Sequence, residues 1–313
     1  MGCFDFTFAA ECRSRPSQNP PALIINLQTK KMKKYFTLSV LLLGILAVQD
    51  ASAQTTGKLM VEKGLKLSVE NVVNSVTNME MMGQSIEING DVNTSHTLEV
   101  ADRNPEGTTL KSTLTRMKLN TTAMGQSNSF DSEKPEDLDN EMGKLLKNEL
   151  NQTTEVVVNE SAGVVKVRKP ENENSGGGAD MIRNMMNPGG GENGGAMLPF
   201  LIIPTGKKAG ESWQDSTIRE DGKSSTTYTL KQLDGTTATV TFTGAQSSSR
   251  KVEQMGTELT VNMEMKISGE AQVNTATGII REKKTTMEGT GSTEMMGQSM
   301  PINNKVTVTT TVK

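Results

Sequence analysis

Glu80-Met81-Met82-Gly83-Gln84-Ser85-Ile86 returns as Glu294-Met295-Met296-Gly297-Gln298-Ser299-Met300, and shorter echoes stand at Met124-Gly125-Gln126-Ser127 and Met255-Gly256-Thr257-Glu258. Each places an X-Gly pair between polar, β-prone runs. Glycine takes the positive φ that a two-residue hairpin loop needs, so the four sites read as hairpin tips. A two-residue loop also fixes which residues face each other, and a slip of one would invert every side chain. With Met82-Gly83 as the loop, Met81 opposes Gln84, Met79 opposes Ile86, Thr77 opposes Ile88 and Val73 opposes Val92. The same rule at Met255-Gly256 pairs Val252 with Leu259 and puts Val261, Met263, Met265 and Ile267 on one side. At Met296-Gly297 it gathers Met295, Met300, Ile302, Val306 and Val308, and at Met124-Gly125 it gathers Met117, Leu119 and Phe130, with Asn128 interrupting. The expectation is a meander of long antiparallel strands with one apolar face.

The chain has 313 residues, room for one large or two small domains. Met32-Lys33-Lys34 forms a basic start, Leu38 to Val48 a short apolar run, and Ala51-Ser52-Ala53 a small-residue cleavage site before Gln54. That order is a secretory signal peptide, too short to span a bilayer. Residues 1–53 are therefore expected to be an upstream extension plus a signal peptide, with Met32 the initiator, cleavage after Ala53, and a periplasmic or secreted product. Both cysteines, Cys3 and Cys12, fall in that part, so the exported chain has no thiol for a disulfide, a thiolate metal site or covalent catalysis. The same removal takes six basic and three acidic residues and leaves a net charge of −6 on 260 residues. An acidic balance disfavours nucleic-acid binding, which needs a concentrated basic surface.

In order, Gly57 to Val100 holds the first hairpin, with Asn89-Gly90-Asp91 expected to bulge or break the return strand. Asn104-Pro105-Glu106-Gly107 reads as a turn. Pro135 to about Leu150 is the one expected helix, with Asp131 or Ser132 as cap candidates and Leu138, Met142, Leu145, Leu146 and Leu150 as its apolar stripe. Thr153–Val158 and 163–168 form a further hairpin. Residues 170–197, rich in Gly and Asn, read as a linker or long loop between an N-terminal β half (54–169) and a C-terminal β half (198–313). Strands are expected at about 213–220, 224–233, 236–243, 246–254, 257–269, 279–288 and 298–312, with Asp221-Gly222 and Asp234-Gly235 as loops. The fold class is mainly β: an antiparallel meander in curved sheets or a half-barrel, with one helix near 135–150.

The signal, the Thr/Ser/Val-rich meander and the element made by Pro204, Gly210, Ser212 and Trp213 together resemble an uncharacterised family of exported bacterial proteins. That resemblance implies no catalytic motif. More loosely, the expected curved sheet with a covering helix is similar to periplasmic lipoprotein carriers of the LolA/LolB type, a likeness of architecture that does not imply function.

Few residues carry chemistry. His96 is the single histidine, on an expected strand without a partner set, so no multi-histidine zinc site is available. Glu253 and Glu258 are expected to face each other across a hairpin, where two carboxylates simply repel at a solvated tip. Arg281-Glu282-Lys283-Lys284 reads as a solvated strand face. Trp213 suits a packing plug at the sheet edge more than a ligand stack. The methionines supply thioethers, the ligands that select Cu(I), but their positions coincide with the Ile, Val and Leu face, where flexible side chains fill irregular space. The expected ligand face is therefore Met79, Met81, Ile86, Ile88, Leu259, Met263, Met265, Met295 and Met300. No cofactor and no enzymatic activity are expected. The leading expectation is a binding or carrier protein for a lipid or other apolar ligand. A structural or interaction module meeting an envelope protein is the alternative, and Met-based Cu(I) binding comes third.

Overall fold

A computed structural model describes residues 55–81, 83–147, 149–168, 198–219, 222–254, 257–295 and 298–313. The extension and signal segment (1–53) and the Gly/Asn-rich segment (170–197) lie outside the described residues, as do the side chains of Met81, Leu145, Leu259 and Met295.

The strands run β1 (Lys66–Met81), β2 (Gln84–Asn104), β3 (Gly107–Ala123), β4 (Gln126–Asp131), β5 (Thr153–Val158) and β6 (Val164–Arg168). After the 170–197 segment come β7 (Ser212–Arg219), β8 (Gly222–Asp234), β9 (Thr237–Gln254), β10 (Thr257–Asn274), β11 (Ile280–Met295) and β12 (Gln298–Val312). All belong to one antiparallel sheet in the order β6-β5-β3-β2-β1-β12-β11-β10-β9-β8-β7, with β4 pairing β3. The two halves are joined by the first and last long strands, Val73 lying opposite Val308. The sheet does not close: β6 and β7 end it.

The expected registers are the observed ones at the tips. Met81 pairs Gln84, Met79 pairs Ile86 and Val73 pairs Val92, Leu259 pairs Val252, Met295 pairs Gln298, and Ala123 pairs Gln126 across Met124-Gly125. Both residues of that last loop have positive φ, 53° and 78°, the geometry that matches the twist of the flanking strands.

Several local expectations are corrected. Asn89-Gly90-Asp91 stays in continuous register with β1, and the irregularities of β2 fall instead at Ser95/His96 and Val100/Asp102. The expected strands 236–243 and 246–254 are one strand, β9, because Gly244 and Ala245 continue the ladder. Asp234 pairs Thr237, so the loop is Gly235-Thr236, and Gly222 is already the first residue of β8.

The single helix is two short ones, α1 (Pro135–Asp139) and α2 (Glu141–Leu146). Asn140 breaks them. Its backbone is extended, at ψ 174°, and its side-chain carbonyl accepts the Gly143 N–H at 2.7 Å, a cap that starts α2 afresh. Gly143 allows the tight return, since a Cβ there would strike the Asp137 carbonyl. Neither expected cap residue caps α1. The Asp131 N–H donates to the Asp137 carboxylate at 2.9 Å, and the Ser132 hydroxyl accepts the Met117 N–H at 2.9 Å. Both tie the helical turn to the sheet. Phe130, Leu146 and partly buried Leu138, Met142 and Leu150 then pack on Val73, Val92, Val306 and Met287.

At the end of the sheet opposite the Met-Gly tips, two extended segments cross the inner face. Residues 55–64 bond across it through Leu59 N–H to Glu160 O at 2.7 Å and Thr55 Oγ1 to Pro204 O at 2.8 Å. Phe200 bridges Ile279, and Leu201 N–H reaches Gly278 O at 2.9 Å. Leu59, Val61 and Phe200 of these straps and Leu110 and Val156 of the sheet form one buried cluster. Ile203, Leu230, Val240, Phe242 and Ile280 form another.

Candidate functional site

Towards the tips the straps and helices end, and burial along the inner face falls with them. On β2, Val92 and Val100 are buried while Ile86 and Ile88 are half-buried. On β10, Ala271 and Val273 are buried while Ile267, Met265 and Met263 are half-buried. Met79 on β1 lies opposite both Ile86 and Ile302, so these three make one apolar patch, with half-buried Ile88 beside it. Met300 sits on β12 opposite buried Thr293. Met263 and Met265 lie on β10, separated from Met79 by β12 and β11, about 14 Å at the usual strand spacing. Met263 reaches over Gly291 of β11, whose partner on β12 is Ile302. Met81, Leu259 and Met295 hold the expected backbone positions, with their side chains outside the described residues.

Between β10 and β12, β11 carries glycine. A Cβ on Gly289 would meet the Met263 and Met265 side chains at 2.9 and 3.2 Å, and one on Gly291 would strike the Asn262 carbonyl and stand 2.6 Å from Met263 Sδ. Flexible thioethers lie across the bare backbone. Next to them opens a groove of about 550 Å³. Gly222, Ser248, Met263 and Gly291 line it and are successive partners across β8, β9, β10 and β11. It exists because three of these four positions carry no side chain or a short one. Its volume lies within the usual range of small-molecule sites, but most of its lining is polar: Ser247, Ser249, Asn262, Glu264, Thr290 and Ser292, which alternate with Ser248, Met263 and Gly291 along their strands.

On the base side of the groove an aromatic ladder crosses β7, β8 and β9. Trp213 stacks on Tyr228 with centroids 5.4 Å apart, and Tyr228 meets Phe242 at 5.9 Å. Burial first, and the charge of Asp215 second, push the Tyr228 phenol above its ordinary range. Trp213 is thus a packing residue on an edge strand. Phe242 lies over Gly269, where a Cβ would collide with its ring.

Beside that ring is the residue the sequence reading misplaced. Lys283 does not belong to a solvated face: it alternates inward with Thr285 and Met287, opposite buried Ala271 and Thr310. Its Nζ stands 5.1 Å from the Phe242 centroid. Among the described residues it makes no ion pair or hydrogen bond. A cation–π contact is worth about 0.5–2 kcal/mol, less than the several kcal/mol lost when an ammonium leaves water, and desolvation lowers the lysine pKa accordingly. The alternation of Lys283 with Met287 was the signal available in the sequence.

His96 also points inward, between Val69 and Leu114, and burial pushes its imidazole down to about 4. Glu253 and Glu258 face each other in register, their side chains outside the described residues. Among the described residues no group of three or more His, Cys, Asp or Glu side chains converges to hold a metal ion. No described helix is long and apolar enough to cross a membrane.

Residues 200–280, which include the Gly210-Glu211-Ser212-Trp213 element, match a family of unknown function (DUF6263). No curated protein matches the sequence. Among solved structures the chain is similar to lipovitellin, in a structure titled for its lipid–protein interactions, at TM-score 0.49 and 8% identity. That likeness takes in 81% of this chain and 25% of the lipovitellin chain, so the protein spans only part of that relative. It is also similar to an outer membrane channel from Pseudomonas putida F1, at TM-score 0.22, 9% identity and 82% and 98% of the two chains. A third likeness is to the translocator domain of autotransporter NalP from Neisseria meningitidis, at TM-score 0.21, 5% identity and 88% and 95% coverage. Similarities this distant carry no functional argument.

Proposed function

We propose that this chain is a non-enzymatic binding protein of the exported compartment, holding an apolar chain on the tip half of its inner face. One observation carries the reading: along the tip half of the inner face Met79, Ile86, Met263 and Met265 stay half-buried, where the same alternation at the base is fully buried. Adaptable thioethers suit a ligand of variable shape. The half-barrel of LolA/LolB-type carriers is an analogy of architecture, and the reading does not depend on it.

Native mass spectrometry of the exported form, with and without added palmitate, tests it. Bound fatty acid is expected, with affinity reduced at least ten-fold in Ser248→Trp, which fills the groove. A bare chain mass under all additions, or equal binding by Ser248→Trp, overturns the proposal. A second reading, an interaction module, is favoured by the open sheet: among the described residues β6 and β7 are each paired on one side only, and Ile218 on β7 is 88% exposed. Unpaired edges accept strands from other chains. An Ile218→Lys change that abolishes a protein complex while leaving palmitate binding intact would support that reading instead.

A further inference from the structure

The two edges of the sheet are built differently. On β6 the pairing with β5 slips between Val157 and Val158, which leaves Val165 without an opposite number, and Lys166 and Arg168 stand exposed on the strand. A bulge and a lysine are devices that keep an edge from pairing with other chains. β7 has neither: Ser212–Arg219 stays in continuous register with β8 and contains no proline and no lysine.

The phase of its hydrogen bonds identifies the backbone groups left over. Leu230 on β8 donates its N–H to the Glu211 carbonyl at 3.0 Å and accepts the Gly210 N–H at 2.7 Å, so Leu230 turns its backbone groups towards β7. Exchanging positions alternate along an antiparallel pair, and Tyr228, Thr226 and Ser224 therefore exchange bonds with Trp213, Asp215 and Thr217 opposite them. The N–H and C=O groups of Gln214, Ser216 and Ile218 then point off the sheet. The Ser212 carbonyl, which shares their phase, is already taken by Lys207 Nζ at 2.8 Å. Among the described residues no strand pairs with the remainder.

We infer that this edge pairs with the same edge of a second copy of the chain, antiparallel about a twofold axis at Thr217, giving a weak homodimer whose sheet runs through both copies. This rests on the interaction reading above and names its partner. With Thr217 facing Thr217 of the second copy, Ser216 exchanges hydrogen bonds with Ile218 of the second copy. Asp215, exposed and in no ion pair among the described residues, stands opposite Arg219 of the second copy, and the symmetry repeats that match. These are non-hydrogen-bonded positions, where facing side chains come closest. Ile218, 88% exposed in the single chain, lies one diagonal step from Ile218 of the second copy on the outer face. An axis moved to Ser216 would set Asp215 against Thr217 and Arg219 against Trp213, with neither charge answered. A strand complementary to itself under one rotation is what an isologous contact requires.

The experiment is disulfide trapping in the exported chain, residues 54–313, which holds no cysteine. Thr217→Cys sets two thiols across the axis at a Cα separation of about 4.5 Å, within the range of a disulfide, and Val165→Cys on β6 is the exposed control. Under mild oxidation Thr217→Cys is expected to give covalent dimer at least about ten-fold faster than Val165→Cys. Adding Ser216→Pro, which removes an N–H that β8 does not use, is expected to slow trapping at least about ten-fold with the circular dichroism unchanged. Asp215→Arg is expected to slow it as well, and Asp215→Arg combined with Arg219→Asp to restore it, a recovery that a folding defect would not show. Equal trapping of Thr217→Cys and Val165→Cys, with a monomer in sedimentation, overturns the self-pairing and leaves the edge free for a strand of another protein. Trapping that persists in a folded Ser216→Pro chain overturns the edge assignment and the interaction reading at β7 with it. Trapping that Asp215→Arg does not slow overturns the register.

Discussion

The two ends of the inner face are built from the same strands and differ in what covers them. At the base, Leu110, Val156, Leu230 and Val240 lie under the segments 55–64 and 198–204 and are excluded from water. At the tips, Ile86, Met79, Met263 and Met300 continue the same alternation with no strap or helix of the described residues above them and remain half-buried. Alternation makes a strand two-faced, but only a second layer makes one of those faces a core. Composition follows the division: shaped β-branched and leucine side chains where packing is tight, thioethers, serine and glycine where it is open.

That contrast can be broken by measuring what each end contributes to stability. Phe130→Ala, in the cluster beneath the helices, is expected to cost about 3–5 kcal/mol in urea unfolding, while Met79→Ala and Met263→Ala each cost less than about 1 kcal/mol because they already face water. Equal losses would mean that the tip half is packed as tightly as the base. A second measurement concerns pH. The imidazole of His96 is held at about 4 in the folded chain against an ordinary 6.5, so the unfolded chain takes up the proton first. Stability is full above about pH 6.5 and declines as pH falls to about 4, by up to about 3 kcal/mol. His96→Leu should flatten that slope, read as urea midpoints across the window.

Smaller effects sharpen the picture. Gly143→Ala should cost about 1–3 kcal/mol, since the new methyl meets the Asp137 carbonyl, and near-ultraviolet circular dichroism should report looser packing around the helices. Lys283→Met is expected to stabilise the unliganded chain by up to about 1 kcal/mol by removing a desolvated cation. A destabilisation there would show that the contact with Phe242 outweighs the desolvation and that the lysine serves packing.

The registers were legible because the Met-Gly pairs state them. Once Met82-Gly83 is a two-residue loop, Met79 must oppose Ile86 and Val73 must oppose Val92, whatever lies elsewhere. Turns without that pairing were read one residue off, as at Gly235-Thr236. The break at Asn140 was missed because a leucine stripe records the buried face and not a side chain that caps a new helix from within. Lys283 was missed for a related reason: four consecutive charged residues look solvated until strand parity is imposed on them.

The sequence by itself determined a meander of hairpins, the face on which its apolar residues gather and the partners across each glycine-tipped turn, because these depend on local φ and on a period of two. Only the tertiary structure decided that the first and last long strands join the halves into one open sheet, that straps and helices cover one end of it, and that methionines of β10 lie over the glycines of β11. Those outcomes depend on contacts between residues far apart in the chain, and no local pattern encodes which segment lies over a face.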